Sequence, residues 1–339
     1  MSRYKSGAAI GTVGVVATGY VGSAWVAFFL ARGLDVRVFV RRQEAEDEPH
    51  GAVARMWPDL GGHLAPGADP ARVRVFTDLA QAMKGCDFVQ ENAAEQLDLK
   101  RRLLAEMDAV LPPDVLIASS TSSLPVTEMQ QLCRHPERCV LGHPFTPTHL
   151  LRLVEVVGGD QTDPDAVDAA IATYAHWGKV PVRLNREVFG HIGNRLAGAL
   201  WREAVSLLVE GVASAEDIDK ALVEGPGRKW CITGPFESYH LSGGSGGIRR
   251  FLETFGPGIY VSLLTWLVFE QAVESTHRNE IQDVTFFDMP VWPSCWVLVV
   301  AFGIMALVLI AQALRDFRFG LTGEGRPTTD KKAATMMTE

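Results

Sequence analysis

Residues 11–42, GTVGVVATGYVGSAWVAFFLARGLDVRVFVRR, set out patterns in an order that few folds accommodate. The apolar run at 12–16 is short and continuous, as in a strand buried on both faces. Gly19 and Gly22 follow as a turn and first helical turn, residues 23–32 read as a helix, and residues 36–40 read as a second strand. Strand, glycine turn, helix and strand in this order form a dinucleotide-binding unit. A glycine at 19 lets a pyrophosphate approach the backbone, and one at 22 lets helix and strand pack closely. The helix N-terminus offers unpaired N–H groups to the phosphates. The turn containing Ala17, Gly19, Tyr20, Val21 and Gly22 is therefore expected to hold a nicotinamide dinucleotide.

Two departures from the usual G-x-G-x-x-G pattern matter. Ala17 replaces the first glycine, which is tolerable if its φ stays negative. The second strand ends in Val40, Arg41 and Arg42, where a carboxylate would bind the hydroxyls of an NAD ribose. A guanidinium pair suits a 2′-phosphate, so the expected cofactor is NAD or NADP with a lean toward NADP. The competing reading of Arg41 and Arg42 is a solvated basic loop beside the acidic residues of 44–48.

A chain of 339 residues is long enough for two domains. Its net charge of −8 and lack of a basic stripe argue against nucleic acid. Cys86, Cys133, Cys139, Cys231 and Cys295 are scattered without metal-ligand spacing, so no metal site is expected and the default location is cytoplasmic. The basic start followed by an apolar run resembles a signal peptide, but that run is the first strand of the nucleotide unit.

Strand-like segments at 87–91, 115–120, 139–145 and 151–159 alternate with helical segments at 100–110 and 164–177, and the loop 43–72 reads as partly helical near 52–59. Alternation of this kind predicts an α/β fold, a Rossmann-type doubly wound and largely parallel sheet, over residues 8–186. From 187 the texture changes to long amphipathic helices, with Ser214 and the acidic pair that follows reading as an N-cap, so an all-helical C-terminal domain is expected over 187–258. A long helix after a nucleotide fold commonly supplies a dimer surface, and a homodimer is expected.

Oxidation of a secondary alcohol requires a base for the hydroxyl proton, and histidine has the suitable pKa. Of nine histidines, His143 is best placed, at a strand end followed by a Pro-Phe-Thr-Pro turn on the side of the sheet where cofactors bind. Glu155 lies on the next predicted strand, from which its carboxylate could fix the imidazole tautomer. Trp201, Trp230, Phe236 and Tyr239 offer aromatic faces that could receive a cationic substrate group if they are not simply helical core.

The segments DFVQENAAEQLDLK, ASSTSSLP, GHPFTPTHLLRLVEVVGG, FGHIGNRL and ASAEDIDKAL resemble, in order and spacing, the 3-hydroxyacyl-CoA dehydrogenase family. Within it, GNRLAGALWREAVSLLVEGVAS and the glycine-rich stretch from 225 resemble most the L-carnitine 3-dehydrogenase branch, with the lambda-crystallin or gulonate dehydrogenase branch next. The resemblance implies that His143 and Glu155 are the catalytic pair, that Ser122 and Asn194 hold the substrate oxygen, and that Glu95 and Lys100 contact the cofactor side. It implies an NAD(P)-dependent oxidation of a small L-3-hydroxy acid to the 3-oxo acid. The alternatives are a 3-hydroxyacyl-CoA dehydrogenase of fatty-acid oxidation and a non-catalytic, crystallin-like cofactor-binding protein. Thr146 stands where the family has asparagine, which loses an amide donor on the cofactor side.

The resemblance fades from 259. Residues 259–321 form an atypical apolar tail with a candidate membrane span at 291–314, and 322–339 read as disordered. A span there would make the protein membrane-associated. Arg315 and Arg318 would then keep the tail inside and leave the nucleotide domain outside, where nicotinamide nucleotides are scarce. A buried helix or an altered gene end are the competing readings.

Overall fold

The computed structural model describes residues 3–278, 281–284, 287–290, 296–301, 303–308, 310 and 311. The chain divides into two compact units, Met1–Ser206 and Leu207–Glu339.

The first unit begins with β1 (Thr12–Val16), α1 (Tyr20–Ala31), β2 (Asp35–Phe39), α2 (Glu48–Met56), β3 (Val73–Phe76), α3 (Leu79–Met83) and β4 (Phe88–Glu91). It continues with α4 (Leu97–Val110), β5 (Leu116–Ser119), α5 (Val126–Met129), β6 (Cys139–Pro144), β7 (Leu153–Gly158), α6 (Pro164–His176) and β8 (Val180–Arg183). Helix α7 (Gly193–Val209) runs across the division between the units. The strands form one sheet in the order β3-β2-β1-β4-β5-β6-β7-β8. Its first six strands are mutually parallel in the doubly wound order, with the crossover between β1 and β4 marking the crevice where such sheets bind nucleotides. β7 pairs antiparallel with β6, and β8 runs parallel to β7. Pro181 lies in β8, an edge strand, where a missing N–H leaves no central ladder unpaired.

Helix α1 is apolar on every side and buried from Gly22 to Ala31, as expected of a helix sealed beneath other elements. Trp25 stacks on Phe29 at 5.0 Å, and an aromatic cluster with Phe88, Tyr174 and Trp177 joins α1 to β4 and α6. Buried polar groups are tied into this core. Tyr174 donates to Gln90 Oε1 at 2.6 Å, while Gln90 donates to Ser120 Oγ and the Gly142 carbonyl. One network thus spans the β4, β5 and β6 ends.

The glycine turn departs from expectation at Ala17, whose φ is +66° rather than negative. Its N–H donates to the Phe39 carbonyl at 3.1 Å, and its own carbonyl points at Gly22, where an added Cβ would lie 2.0 Å away. The turn closes so tightly over the helix start that the alanine is driven into the left-handed region, at about 1–2 kcal/mol of strain. Gly19, the N-cap of α1, has φ −59° and nothing within 4 Å of an added Cβ.

The second unit contains α8 (Ala215–Glu224), α9 (Pro226–Trp230), α10 (Pro235–Ser242) and α11 (Gly247–Arg278), followed by an antiparallel pair, β9 (Ile281–Val284) and β10 (Phe287–Pro290). Ser214 caps α8, its hydroxyl accepting from the Asp217 N–H at 3.1 Å. α11 runs on past residue 259 to Arg278. The candidate span 291–314 lies partly, and the tail 322–339 wholly, outside the described residues. Among the described residues no helix is long and apolar enough to cross a membrane.

The turn geometry separates two glycines that look alike in sequence. Gly22→Ala should destabilise the protein by about 2 kcal/mol or more, because the clashing atom is backbone. Gly19→Ala should change stability by less than about 1 kcal/mol. Urea unfolding of the two variants tests this, and equal losses would contradict the packing described.

Candidate functional site

His143 is the fifth residue of β6 and Glu155 the third of β7, and they are direct cross-strand partners in the antiparallel register. Opposed residues of an antiparallel pair project from the same face with Cβ atoms about 5 Å apart, so the register itself brings imidazole and carboxylate together. His143 Nδ1 lies 2.9 Å from Glu155 Oε2, and the two residues are 5% and 1% exposed. The other carboxylate oxygen, Oε1, accepts from the Ile192 and Gly193 N–H groups at 2.8 and 2.9 Å. These amides belong to the N-terminal end of α7, where the helix dipole favours negative charge. Burial pushes the Glu155 carboxyl up, but the hydrogen bonds from His143, Gly193 and Ile192 outweigh it and hold the group below its ordinary value. An ionised carboxylate accepts, so Nδ1 carries the proton and Nε2 of His143 is left as a base.

Glycine at 193 is required by packing, because an added Cβ would lie 2.3 Å from Phe145 Cζ. Phe145, in turn, meets the His143 ring edge to face at 5.7 Å. A second histidine, not singled out by its sequence, completes the cluster. His191 is 4% exposed, its ring centroid lies 4.9 Å from that of His143, and its Nε2 donates to the Thr121 carbonyl at 3.1 Å. Burial, and then the neighbouring His143, lower its pKa against the opposing pull of Thr121. In FGHIGNRL this histidine lies among residues chosen for Asn194, and only its left-handed backbone, φ +52°, marks it as unusual.

Ser122 and Asn194 are both exposed, in the turn after β5 and at the second position of α7. Each is chained to the histidine pair by its neighbour: Thr121 by its bond with His191, and Gly193 by its bond with Glu155. Glu95 Oε1 accepts from the Ser122 and Ser123 N–H groups, both at 2.9 Å, and from the Thr121 and Ser123 hydroxyls. Burial opposes ionisation of Glu95, but these bonds and Lys100 keep its pKa lowered. Lys100 is 1% exposed and donates to both Glu91 oxygens and to the Ala93 carbonyl, so it fixes the loop after β4 from beneath. Thr146 is exposed in the turn after β6.

A pocket of about 340 Å³ runs from Ala17, Thr18 and Gly19 to Val40, Arg41 and Arg42 and is also lined by Ala93 and Ala94. Open space at Gly19, the unpaired first-turn N–H groups of α1 that include those of Tyr20 and Val21, and this pocket fit a dinucleotide. Arg41 and Arg42 are both exposed at its rim. Trp201 is 71% exposed on α7. In the second unit Trp230, Phe236 and Tyr239 are 42%, 80% and 45% exposed, and Tyr239 stacks with Phe251 at 4.9 Å.

Glu155→Ala would leave three donors without their acceptor and should lower stability by about 2–4 kcal/mol. Because the folded-state pKa of Glu155 is depressed, its stabilising effect is present above the ordinary carboxyl value of 4.5 and is lost as pH falls through the folded value. The stability gap between wild type and Glu155→Gln should therefore narrow on acidification below about pH 4.5 in urea titrations. A gap independent of pH would argue against an ionised Glu155.

Family models match both parts of the chain: the NAD-binding domain of 3-hydroxyacyl-CoA dehydrogenase over residues 12–188 and its C-terminal domain over 190–282. An L-carnitine dehydrogenase of Nocardiopsis dassonvillei is 47% identical over 253 residues, which is 74% of this chain and 77% of the relative. One from Burkholderia mallei is 44% identical over 279 residues, 80% of this chain and 87% of the relative. Among solved structures, an NAD+-dependent dismutase, 5-formyl-3-hydroxy-2-methylpyridine 4-carboxylic acid 5-dehydrogenase, matches with TM-score 0.64 at 26% identity, covering 87% of this chain and 98% of that one. The 3-hydroxybutyryl-CoA dehydrogenase of Escherichia coli matches with TM-score 0.59 at 32% identity, covering 69% and 49%. With a Rossmann sheet that binds NAD followed by the family's helical C-terminal domain, this chain belongs to the 3-hydroxyacyl-CoA dehydrogenase family.

Proposed function

We propose that the protein is an NAD-dependent dehydrogenase that oxidises the 3-hydroxyl of a small L-3-hydroxy acid of the carnitine type to the 3-oxo acid. The observation that carries this reading is the buried His143–Glu155 pair, with its carboxylate fixed by the amides of Ile192 and Gly193. His143 Nε2 takes the hydroxyl proton. Glu155 holds the imidazole in the tautomer that leaves Nε2 free and then faces the imidazolium. Ser122 and Asn194 hold the oxygen that becomes the carbonyl. When bound, NAD supplies the acceptor for the hydrogen that leaves C3 with its electron pair.

L-carnitine is favoured as substrate by relatives of that name at 42–47% identity. Its trimethylammonium group calls for aromatic faces, and Trp230, Phe236 and Tyr239 of the second unit, or Trp201 of the first, each expose one. Arg41 and Arg42, beside Val40 at the end of the cofactor pocket, support acceptance of NADP alongside NAD. A second copy of the chain covers the apolar stripe of α7, on which Leu196, Leu200, Val205 and Leu208 are all at least 39% exposed. A cytoplasmic location accords with a nicotinamide cofactor and with the free thiols of Cys86, Cys133, Cys139 and Cys231.

Cofactor reduction should be measured with L-carnitine, 3-hydroxybutyrate and 3-hydroxybutyryl-CoA, each with NAD and with NADP. Turnover should be greatest with L-carnitine, and turnover only with the thioester would overturn the substrate assignment. His143→Asn should lower kcat by about 10³-fold while leaving the Kd for NAD within about twofold. Wild-type kcat in that variant would remove His143 from the chemistry.

A further inference from the structure

A pocket of about 300 Å³ in the first unit shares no lining residue with the pocket at Gly19 and Arg42, and contains neither His143 nor Glu155. Its polar lining is Arg32, His63, His149, Arg152 and Lys179, with Phe28 as an apolar wall. The hydrogen bonds of these cations are few. Lys179 Nζ donates to the Thr148 and Leu151 carbonyls and lies 4.1 Å from the centroid of the Phe28 ring. Among the described residues Arg152 donates only through Nε, to the Gly178 carbonyl at 3.1 Å, which leaves the fork of its guanidinium without a partner there. Arg32 sits 5.1 Å over the Phe28 ring, and its buried Nε makes no hydrogen bond among the described residues.

His149 is 7% exposed, and both of its ring nitrogens are buried without a hydrogen bond among the described residues. The carboxylate facing it is that of Asp59, 57% exposed and 3.6 Å from Nε2. The lining thus gathers two arginines, a buried lysine and two histidines and contains no carboxylate of its own, Asp59 lying at His149 alone among the described contacts. The charges act on one another. Burial and then Arg152 lower the pKa of Arg32, while burial and then Arg32 bring Lys179 down to about 7. Like charges gathered around a cavity with unpartnered donors are costly unless an anion joins them.

We infer that this pocket binds a small oxyanion carrying two or more negative charges, received by the free guanidinium faces of Arg32 and Arg152 and by the imidazole of His149. Paired guanidiniums match the planar oxygen pairs of phosphate and carboxylate groups, and these are the two ligand chemistries that fit. The site flanks the machinery already described. Arg152 immediately precedes β7, which carries Glu155, and His149 lies in the eight-residue connection that leaves β6 after His143.

The test is calorimetric titration of the full-length, NAD-saturated protein with inorganic phosphate and, separately, with citrate, at ionic strength held constant with sodium chloride. At least one of the two should bind saturably at one site per chain, and the one that binds identifies the ligand chemistry. Arg32→Gln and Arg152→Gln should each weaken that binding tenfold or more. Arg42→Gln, at the cofactor pocket, should leave it unchanged, which separates the new site from phosphate held beside the adenosine ribose. The buried Nε of Arg32 makes no hydrogen bond among the described residues and its backbone bonds survive substitution, so its variant is expected to fold, and Arg152→Gln gives an independent reading. No saturable binding of either anion, or affinities unaltered in both pocket variants, or a loss only in Arg42→Gln, would overturn the inference.

Discussion

Glu155 is a carboxylate at 1% exposure, and the layout of the site follows from how its two oxygens are satisfied. Burying such a group alone would neutralise it. Here Oε2 takes the His143 N–H and Oε1 takes two amides at the start of α7, so one side chain joins β6, β7 and α7. The amides reach the carboxylate only because Gly193 has no Cβ to strike Phe145. Asn194 and Ser122 inherit their positions from this junction, the first through Gly193 and the second through Thr121 and His191. The constraint is therefore both electrostatic and steric, and neither part alone would place the helix.

The cofactor side depends on backbone closeness and on buried polar ties. The Ala17 carbonyl occupies the space that a Gly22 side chain would need, and the aromatic core under α1 holds the helix against the sheet. From that core, Trp25 donates to Ser120 Oγ, and Ser120 donates to Asn92, which donates to the Val16 and Gln90 carbonyls. Lys100 and Glu91 brace the same loop. A buried ion pair of this kind is a poor source of stability but costly to break singly, which suits a part whose task is to fix a loop in place.

The parallel sheet and the crevice between β1 and β4 were legible in sequence because buried strands and the glycine turn carry strong local signals. β3 and β8 were not: each has four residues, one follows a long connection that holds α2 and the other contains Pro181. The antiparallel pairing of β7 was implicit in a connection of only residues 145–152, since a parallel crossover needs a dozen residues or more. That pairing, more than the identity of the residues, is what sets His143 opposite Glu155. The positive φ of Ala17 could not be read, because alanine gives no sign of a left-handed conformation imposed by its neighbours. His191 was hidden for a related reason: its role comes from burial and from the ring beside it. The cationic pocket has no local sequence signal because its arginines, histidines and lysine are dispersed from 32 to 179 and meet only in the fold.

Two imidazoles with centroids 4.9 Å apart cannot both become cations cheaply, and the structure assigns them different surroundings. His191 is buried, which lowers its pKa against the pull of the Thr121 carbonyl to which it donates. His143 faces a carboxylate that is itself held ionised by helix amides. Distinct partners thus set the two rings apart, one donating to a carbonyl and the other to a carboxylate. In the proposed reaction the proton released by the substrate therefore goes to His143. His191, kept uncharged, adds no repulsion to the imidazolium that forms and holds the turn that carries Ser122.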